Sequence, residues 1–301
     1  MRLSTSFFIA LALLCISPIP TALAESLQLE PYKNDLFGYP AIVGSDYGGD
    51  FATIAFDYQR DVIARDVRPD EKTRPEYVSL DLLSLQADLV LRRDGQKVRY
   101  VGVGRTEGEA NIVTIFLHGL GATRFDGAND WRSGGNLNRI KNLMVRNGGV
   151  YLSADYSVFK RKAKRQIAAL IDAFAENSPG APIFLICASI GARVCWDLAE
   201  DPKASAQLDG LIMVAAVGRP GFVDSAAIGN PARWVPIYMA HGSVDRRVSW
   251  RRQERLFKDI KSVAPEYPIK FALFDTGVHR TPLRMTDWRL AINWMLEVGS
   301  K

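Results

Sequence analysis

The sequence predicts an α/β protein with a mostly parallel central sheet and helices on both faces. Three observations carry this. Six short apolar runs alternate with helical segments, an antiparallel hairpin precedes them, and no linker, repeat or low-complexity tract follows residue 88. Strands are expected at Ile112 to His118, Gly149 to Ala154, Pro182 to Ala188, Leu208 to Val217, Trp234 to Ala240 and Pro268 to Phe274. Each is rich in Ile, Val and Leu and bounded by turn residues, as strands covered on both faces should be. Between them Leu137 to Val145, Lys164 to Ala175, Ala192 to Leu198, Trp250 to Lys261 and Trp288 to Leu296 carry apolar residues at three- and four-residue spacing, which makes one face of a helix apolar. Leu89-Val90-Leu91 and Val98 to Val103 flank Asp94-Gly95, a hairpin signal.

Residues 25 to 87 lack such a pattern. They mix turn chemistry at Gly38, Tyr39-Pro40 and Gly48-Gly49 with a candidate strand at Phe51 to Tyr58 and a charged stretch from Arg60 to Glu76, and are set apart as an N-terminal extension. The whole chain has 301 residues, 48% hydrophobic and 24% charged, which excludes collagen-like, coiled-coil and wholly disordered classes. Its 38 Lys and Arg against 33 Asp and Glu give +5, too mild an excess to argue for nucleic acid as a partner.

At the start of the chain, Arg2, the apolar run Phe7 to Ile16, and Ala22-Leu23-Ala24 match a secretory signal over residues 1 to 24, leaving Glu25 first. The run is too short to span a bilayer, and no other segment reaches the roughly 18 apolar residues a span needs, so no stable membrane anchor is expected. Leu14 is bulky where the residue before a lipidated Cys15 would be small. The mature protein is therefore expected to be exported, periplasmic or extracellular. It keeps Cys187 and Cys195. These are expected to be unpaired core residues, because a strand end and a position two turns into the next helix should lie beyond the roughly 7 Å limit for bridged Cα atoms.

In an open parallel sheet the reactive groups belong at the carboxyl ends of the strands. Phe184 to Cys187 is an apolar strand that runs through Ala188-Ser189-Ile190-Gly191 into a helix, with small residues two before and two after Ser189. Alone, such a serine also fits a helix N-cap. Three further strand ends add to it. Phe116-Leu117-His118-Gly119-Leu120-Gly121 carries a glycine-bearing loop, Tyr238 to Val248 offers an acid, and Gly277-Val278-His279 offers a base. By elbow, loop and the order Ser, Asp, His, residues 88 to 301 resemble the α/β-hydrolase superfamily, with Cys187 where the elbow's first glycine usually stands.

The resemblance implies Ser189 as nucleophile, His279 as general base and Asp245 as the carboxylate that orients the imidazole, with the backbone amides of Leu120 and Ile190 as an oxyanion hole. It makes residues 88 to 301 a catalytic domain of the serine hydrolase type, acting on a small-molecule ester or acyl substrate through an acyl-enzyme. Thioesterase, acyltransferase and peptidase chemistry use the same triad, and a non-catalytic binding protein can share the fold. Asp224 and Asp275 compete with Asp245 for the acid, while His118 and His241 sit in His-Gly pairs where a neutral ring bonded to backbone is expected.

Only Gly218 to Ala232 separate two strands where many relatives insert a cap, so no large cap is expected. Arg124, Arg132, Arg246, Arg247, Arg280 and Arg284 all map to the carboxyl edge of the sheet. Arg124, Arg246, Arg247 and Arg280 are candidate substrate-binding residues for an anionic substrate, unless they pair with Asp126, Asp130 and Asp245 or face solvent. Lys160-Arg161-Lys162 with Lys164-Arg165 is read as a solvated face or a loose membrane-surface patch. Asp126, Asn129 and Asp130 lack the rest of a calcium loop, and no phosphate loop or Cys/His cluster exists, so neither metal nor cofactor is implied.

Overall fold

The computed structural model describes residues 27 to 157 and 161 to 299. The expected signal segment, Cys15 and Lys160 lie outside the described residues. The strands are β1 (Ile42–Asp46), β2 (Phe51–Ile54), β3 (Asp66–Arg68), β4 (Lys72–Thr73), β5 (Gln86–Arg93), β6 (Gln96–Gly104), β7 (Val113–Leu117), β8 (Val150–Ala154), β9 (Ile183–Ala188), β10 (Gly210–Val214), β11 (Ile237–Gly242) and β12 (Ile269–Phe274). Ten form one sheet in the order β1-β2-β12-β11-β10-β9-β7-β8-β6-β5, and β3 and β4 pair separately.

From β2 through β8 neighbouring strands run parallel; β1 and the β5–β6 hairpin are antiparallel additions at the two edges. Burial follows position. Every residue of β7, β8 and β10 is buried, whereas β5 at the edge alternates between half-buried and exposed. Successive residues feed opposite cores: Ile183, Leu185 and Cys187 enter one, Phe184 and Ile186 the other.

The long helices are α1 (Asn136–Arg146), α2 (Lys162–Asn177), α3 (Ala192–Ala199), α4 (Trp250–Val263) and α5 (Trp288–Gly299). In α4 the buried set Gln253, Leu256, Phe257 and Ile260 is a single stripe at helical spacing. Between β10 and β11 the chain makes two short turns, Pro220–Asp224 and Pro231–Arg233, and no large cap. Among the described residues no helix is long and apolar enough to cross a membrane.

Two expectations are corrected here. The boundary at residue 88 does not separate an extension from the sheet: β2 pairs in parallel with β12, and Phe51 stacks on Phe271 with ring centroids 5.0 Å apart. The segment before β5 also covers α1 and α5 through polar contacts. Asn138 donates to the Ser79 carbonyl, and Asn293 accepts from the Leu29 amide. The segment also sends single apolar anchors, Leu29, Tyr32, Ile54 and Leu82, into the core, too scattered among short turns to show an apolar period.

Second, Cys187 and Cys195 form a disulfide with Cα atoms 6.5 Å apart. The chain enters α3 through a tight 3-10 turn, Ser189–Gly191. This folds the helix back beside β9, so eight residues of sequence separation close to bonding distance.

Candidate active site

The chain leaves β7 toward β8 on one side and returns to β9 on the other, so the crevice between the carboxyl ends of β7 and β9 is the switch point of the sheet. Ser189 follows β9 there with φ +51°, a left-handed conformation that costs a non-glycine residue roughly 1–3 kcal/mol. Its surroundings hold it in place. The Val217 amide donates to the Ser189 carbonyl at 3.1 Å, and a Cβ on Gly191 would stand 2.7 Å from the Leu117 carbonyl oxygen and 2.8 Å from that of His118. Only glycine lets α3 approach β7 this closely. On the far side a Cβ on Gly119 would lie 3.2 Å from the Ser189 Cβ, so the loop after β7 flanks the serine.

Asp245 and His279 reach Ser189 from the ends of β11 and β12. A Cβ on Gly242 would meet the Gly277 carbonyl oxygen at 2.2 Å, and the Val244 amide donates to that carbonyl at 3.0 Å, which draws the two loops together. His279 Nδ1 then lies 2.7 Å from Asp245 Oδ2, and His279 Nε2 lies 3.1 Å from Ser189 Oγ. A carboxylate only accepts, so Nδ1 carries the proton and Nε2 presents a lone pair to the serine hydroxyl.

Asp245 is buried and its acceptor capacity is filled. Oδ1 accepts from the amides of Arg247 at 2.8 Å and Val248 at 3.1 Å, and Oδ2 accepts from His279 and, at 3.2 Å, from His241 Nε2. Burial alone would raise its pKa, but the hydrogen bonds from His241, His279, Val248 and Arg247 outweigh it and hold the carboxyl well below the ordinary carboxylate range. Asp224 and Asp275 stay exposed, and neither bonds to a histidine. The contact from His241 was not legible in the sequence beyond its fixed four-residue distance from Asp245. As expected it also bonds backbone, donating to the Val248 carbonyl at 3.0 Å. His118 donates from Nδ1 to the Gly119 carbonyl at 2.9 Å and packs on the Tyr156 ring.

The backbone amides of Leu120 and Ile190 make no hydrogen bond to another described residue, and the Leu120 side chain is 70% exposed. Beside them lies a pocket of about 160 Å³, floored by Phe116, Ala122, Leu137 and Leu283 and bordered by Arg132 and Arg280.

The arginines separate into two groups. Arg124 is buried: its guanidinium pairs with Asp88 at 2.7 Å and Asp155 at 2.5 Å and does not line the pocket, which corrects its expected place around the substrate. Arg284 is buried against Asp66 and Asp70. Arg246, Arg247 and Arg280 are exposed without an ion pair among the described residues. Asp126 and Asp130, weighed as metal ligands, pair with Arg132 and Lys141.

No protein-family model and no curated protein matches the chain. Solved structures do. An esterase of Pyrococcus furiosus, Pf2001, superposes with a TM-score of 0.54 at 13% identity, over 77% of this chain and 98% of that one. A structure described as a thermostable esterase gives a TM-score of 0.55 at 14% identity, over 72% of this chain and 64% of that one. A protein of Thermus thermophilus, TT1662, gives 0.50 at 18% identity, over 70% and 98%. At these identities the likeness concerns architecture, and together with the sheet order and the absence of a large cap among the described residues it identifies the chain as an α/β-hydrolase fold.

Proposed function

We propose that the protein is an exported serine hydrolase that cleaves a carboxylic ester of a short acyl chain. The observation that carries the reading is the line Asp245 Oδ2, His279, Ser189 Oγ, with hydrogen-bond distances of 2.7 and 3.1 Å at the sheet's switch point. His279 Nε2 takes the Ser189 proton as Oγ attacks the ester carbonyl, and the amides of Leu120 and Ile190 receive the developing oxyanion. His279 then protonates the leaving alcohol. Water, activated by the same imidazole, releases the acid from the acyl-enzyme. Asp245 keeps His279 in the Nδ1-H tautomer and stabilises its positive charge.

That structural neighbours are described as esterases favours ester chemistry over the other uses of a triad. A pocket of about 160 Å³ favours a short acyl group, since a cavity of roughly 150 Å³ accommodates a benzene ring. The Cys187–Cys195 disulfide supports export, because such bonds persist in oxidising compartments. A fluorophosphonate probe should label the wild type once, at Ser189, and leave Ser189→Ala unlabelled. Esters of graded chain length should show kcat/KM falling beyond short acyl chains. An unlabelled wild type would refute the reading.

A further inference from the structure

On the opposite side of β9 from the apolar pocket, a second pocket of about 300 Å³ opens over the ends of β10 and β11. Three arginines line it: Arg193 from α3, Arg247 from the loop after β11, and Arg252 from α4. Each is exposed, and none has a carboxylate within 4.0 Å among the described residues. The acids that could neutralise them are engaged elsewhere. Asp197 and Glu200 pair with Arg219, Glu254 pairs with Lys258, and Asp245 is filled by the two histidines and two amides.

Three like charges gathered on one concavity repel each other unless an anion joins them, and planar guanidinium groups match the oxygens of phosphate, sulfate or carboxylate. The pocket also contains Gln253, which is 3% exposed and whose Oε1 is buried without a hydrogen-bond partner. A buried amide left without a partner beside the pocket calls for a polar group from whatever fills it. The pocket shares backbone with the reacting residues: Val217, on its wall, donates to the Ser189 carbonyl, and the Arg247 amide donates to Asp245.

We infer that this pocket binds a phosphate, sulfate or carboxylate group carried by the part of the substrate that does not occupy the apolar pocket. The inference rests on the hydrolase reading for the word substrate, but not for the anion site itself. Of the arginines the sequence offered for an anionic substrate, the assignment uses Arg247 and joins to it Arg193 and Arg252.

The test uses two short-chain esters of equal size, one with a remote phosphate and one neutral, together with calorimetric titration of inorganic phosphate. In wild type the phosphorylated ester should have the higher kcat/KM, and inorganic phosphate should compete with it. The ratio of the two kcat/KM values should fall about fivefold in Arg193→Gln or Arg252→Gln and at least about tenfold in the double variant, the worth of partly screened charge-assisted hydrogen bonds. Arg193→Lys/Arg252→Lys should recover part of the ratio. Phosphate that binds and alters both esters equally would overturn the substrate assignment in favour of a free anion. An unchanged ratio with unchanged phosphate binding in the double glutamine variant would overturn the site. If the wild type hydrolyses no ester, loss of phosphate binding in that variant still supports the anion site, and only the hydrolase reading fails.

Discussion

Removing the Cys187–Cys195 cross-link tests the construction of the elbow. The two residues are 8 positions apart. On the chain-entropy account, closing a loop of that size takes roughly 8 cal/mol/K from the unfolded chain, or about 2.5 kcal/mol at 25 °C. With roughly 2.1 cal/mol/K of unfolding entropy per residue, each kcal/mol moves the Tm of a chain this long by roughly 1.5–2 °C, so the uncrosslinked protein should melt roughly 4–5 °C lower. Both cysteines are fully buried, so a double alanine variant would add a cavity cost to the loop term. The cleaner comparison is the wild type unfolded and refolded with a reductant, whose thiols fill the same space. Thermal melts of the two forms, with thiol labelling of each after unfolding, measure the effect. Because the bond ties β9 to α3 across Ser189, hydrolysis should be lost at the lower temperature too. Labelled thiols at both positions of the non-reduced protein would refute the pairing. A cross-linked form that melts within about 1 °C of the reduced form would refute the entropy argument.

Gly191→Ala should push α3 off β7, because its Cβ would stand 2.7 Å from a backbone oxygen that cannot yield. A loss of roughly 1–3 kcal/mol in denaturant unfolding, with activity falling more steeply than stability, is the expected result. Arg124→Gln leaves Asp88 and Asp155 without their cation and should cost roughly 1–3 kcal/mol by the same measurement, while the preference between charged and neutral esters stays as in wild type. Asp245 ionises below its unfolded reference of 3.8, so its stabilising contribution is present above that pH and is lost as pH falls through the lower folded value. Asp245→Asn should therefore flatten the acid side of the Tm profile and lower kcat on the order of 10⁴-fold; an unchanged acid slope would refute the role of its hydrogen bonds.

The elements of the central sheet were legible because their signal is local. A strand buried on both faces must be a short continuous apolar run, and a covering helix must repeat its apolar residues every three or four positions. Val113–Leu117, Ile183–Ala188 and Trp250–Val263 carry these marks in their own composition. The order of Ser189, Asp245 and His279 along the chain was legible for a related reason. Each follows a strand, and the ends of parallel strands converge on one edge.

What depends on residues far apart in sequence was decided by the tertiary structure alone. β2 is a strand of the main sheet because β12, more than two hundred residues later, supplies its partner groups. Its own four residues cannot announce that. The disulfide depends on a turn of a few residues that reverses the chain, so linear distance along a strand and a helix misjudged it. Charge is the sharpest case. Sequence placed six arginines at one edge, but whether a guanidinium meets a ligand or a carboxylate depends on which acid folds beside it. Asp88 and Asp155 remove Arg124, Asp66 and Asp70 remove Arg284, and Asp126 takes Arg132; of the remaining three, Arg247 lines a pocket with Arg193 and Arg252, which the sequence did not single out, with no counter-charge among the described residues. Composition determines how many charges a protein has; only packing determines which of them remain free, because pairing falls off within a few ångströms and the chain sets those distances last.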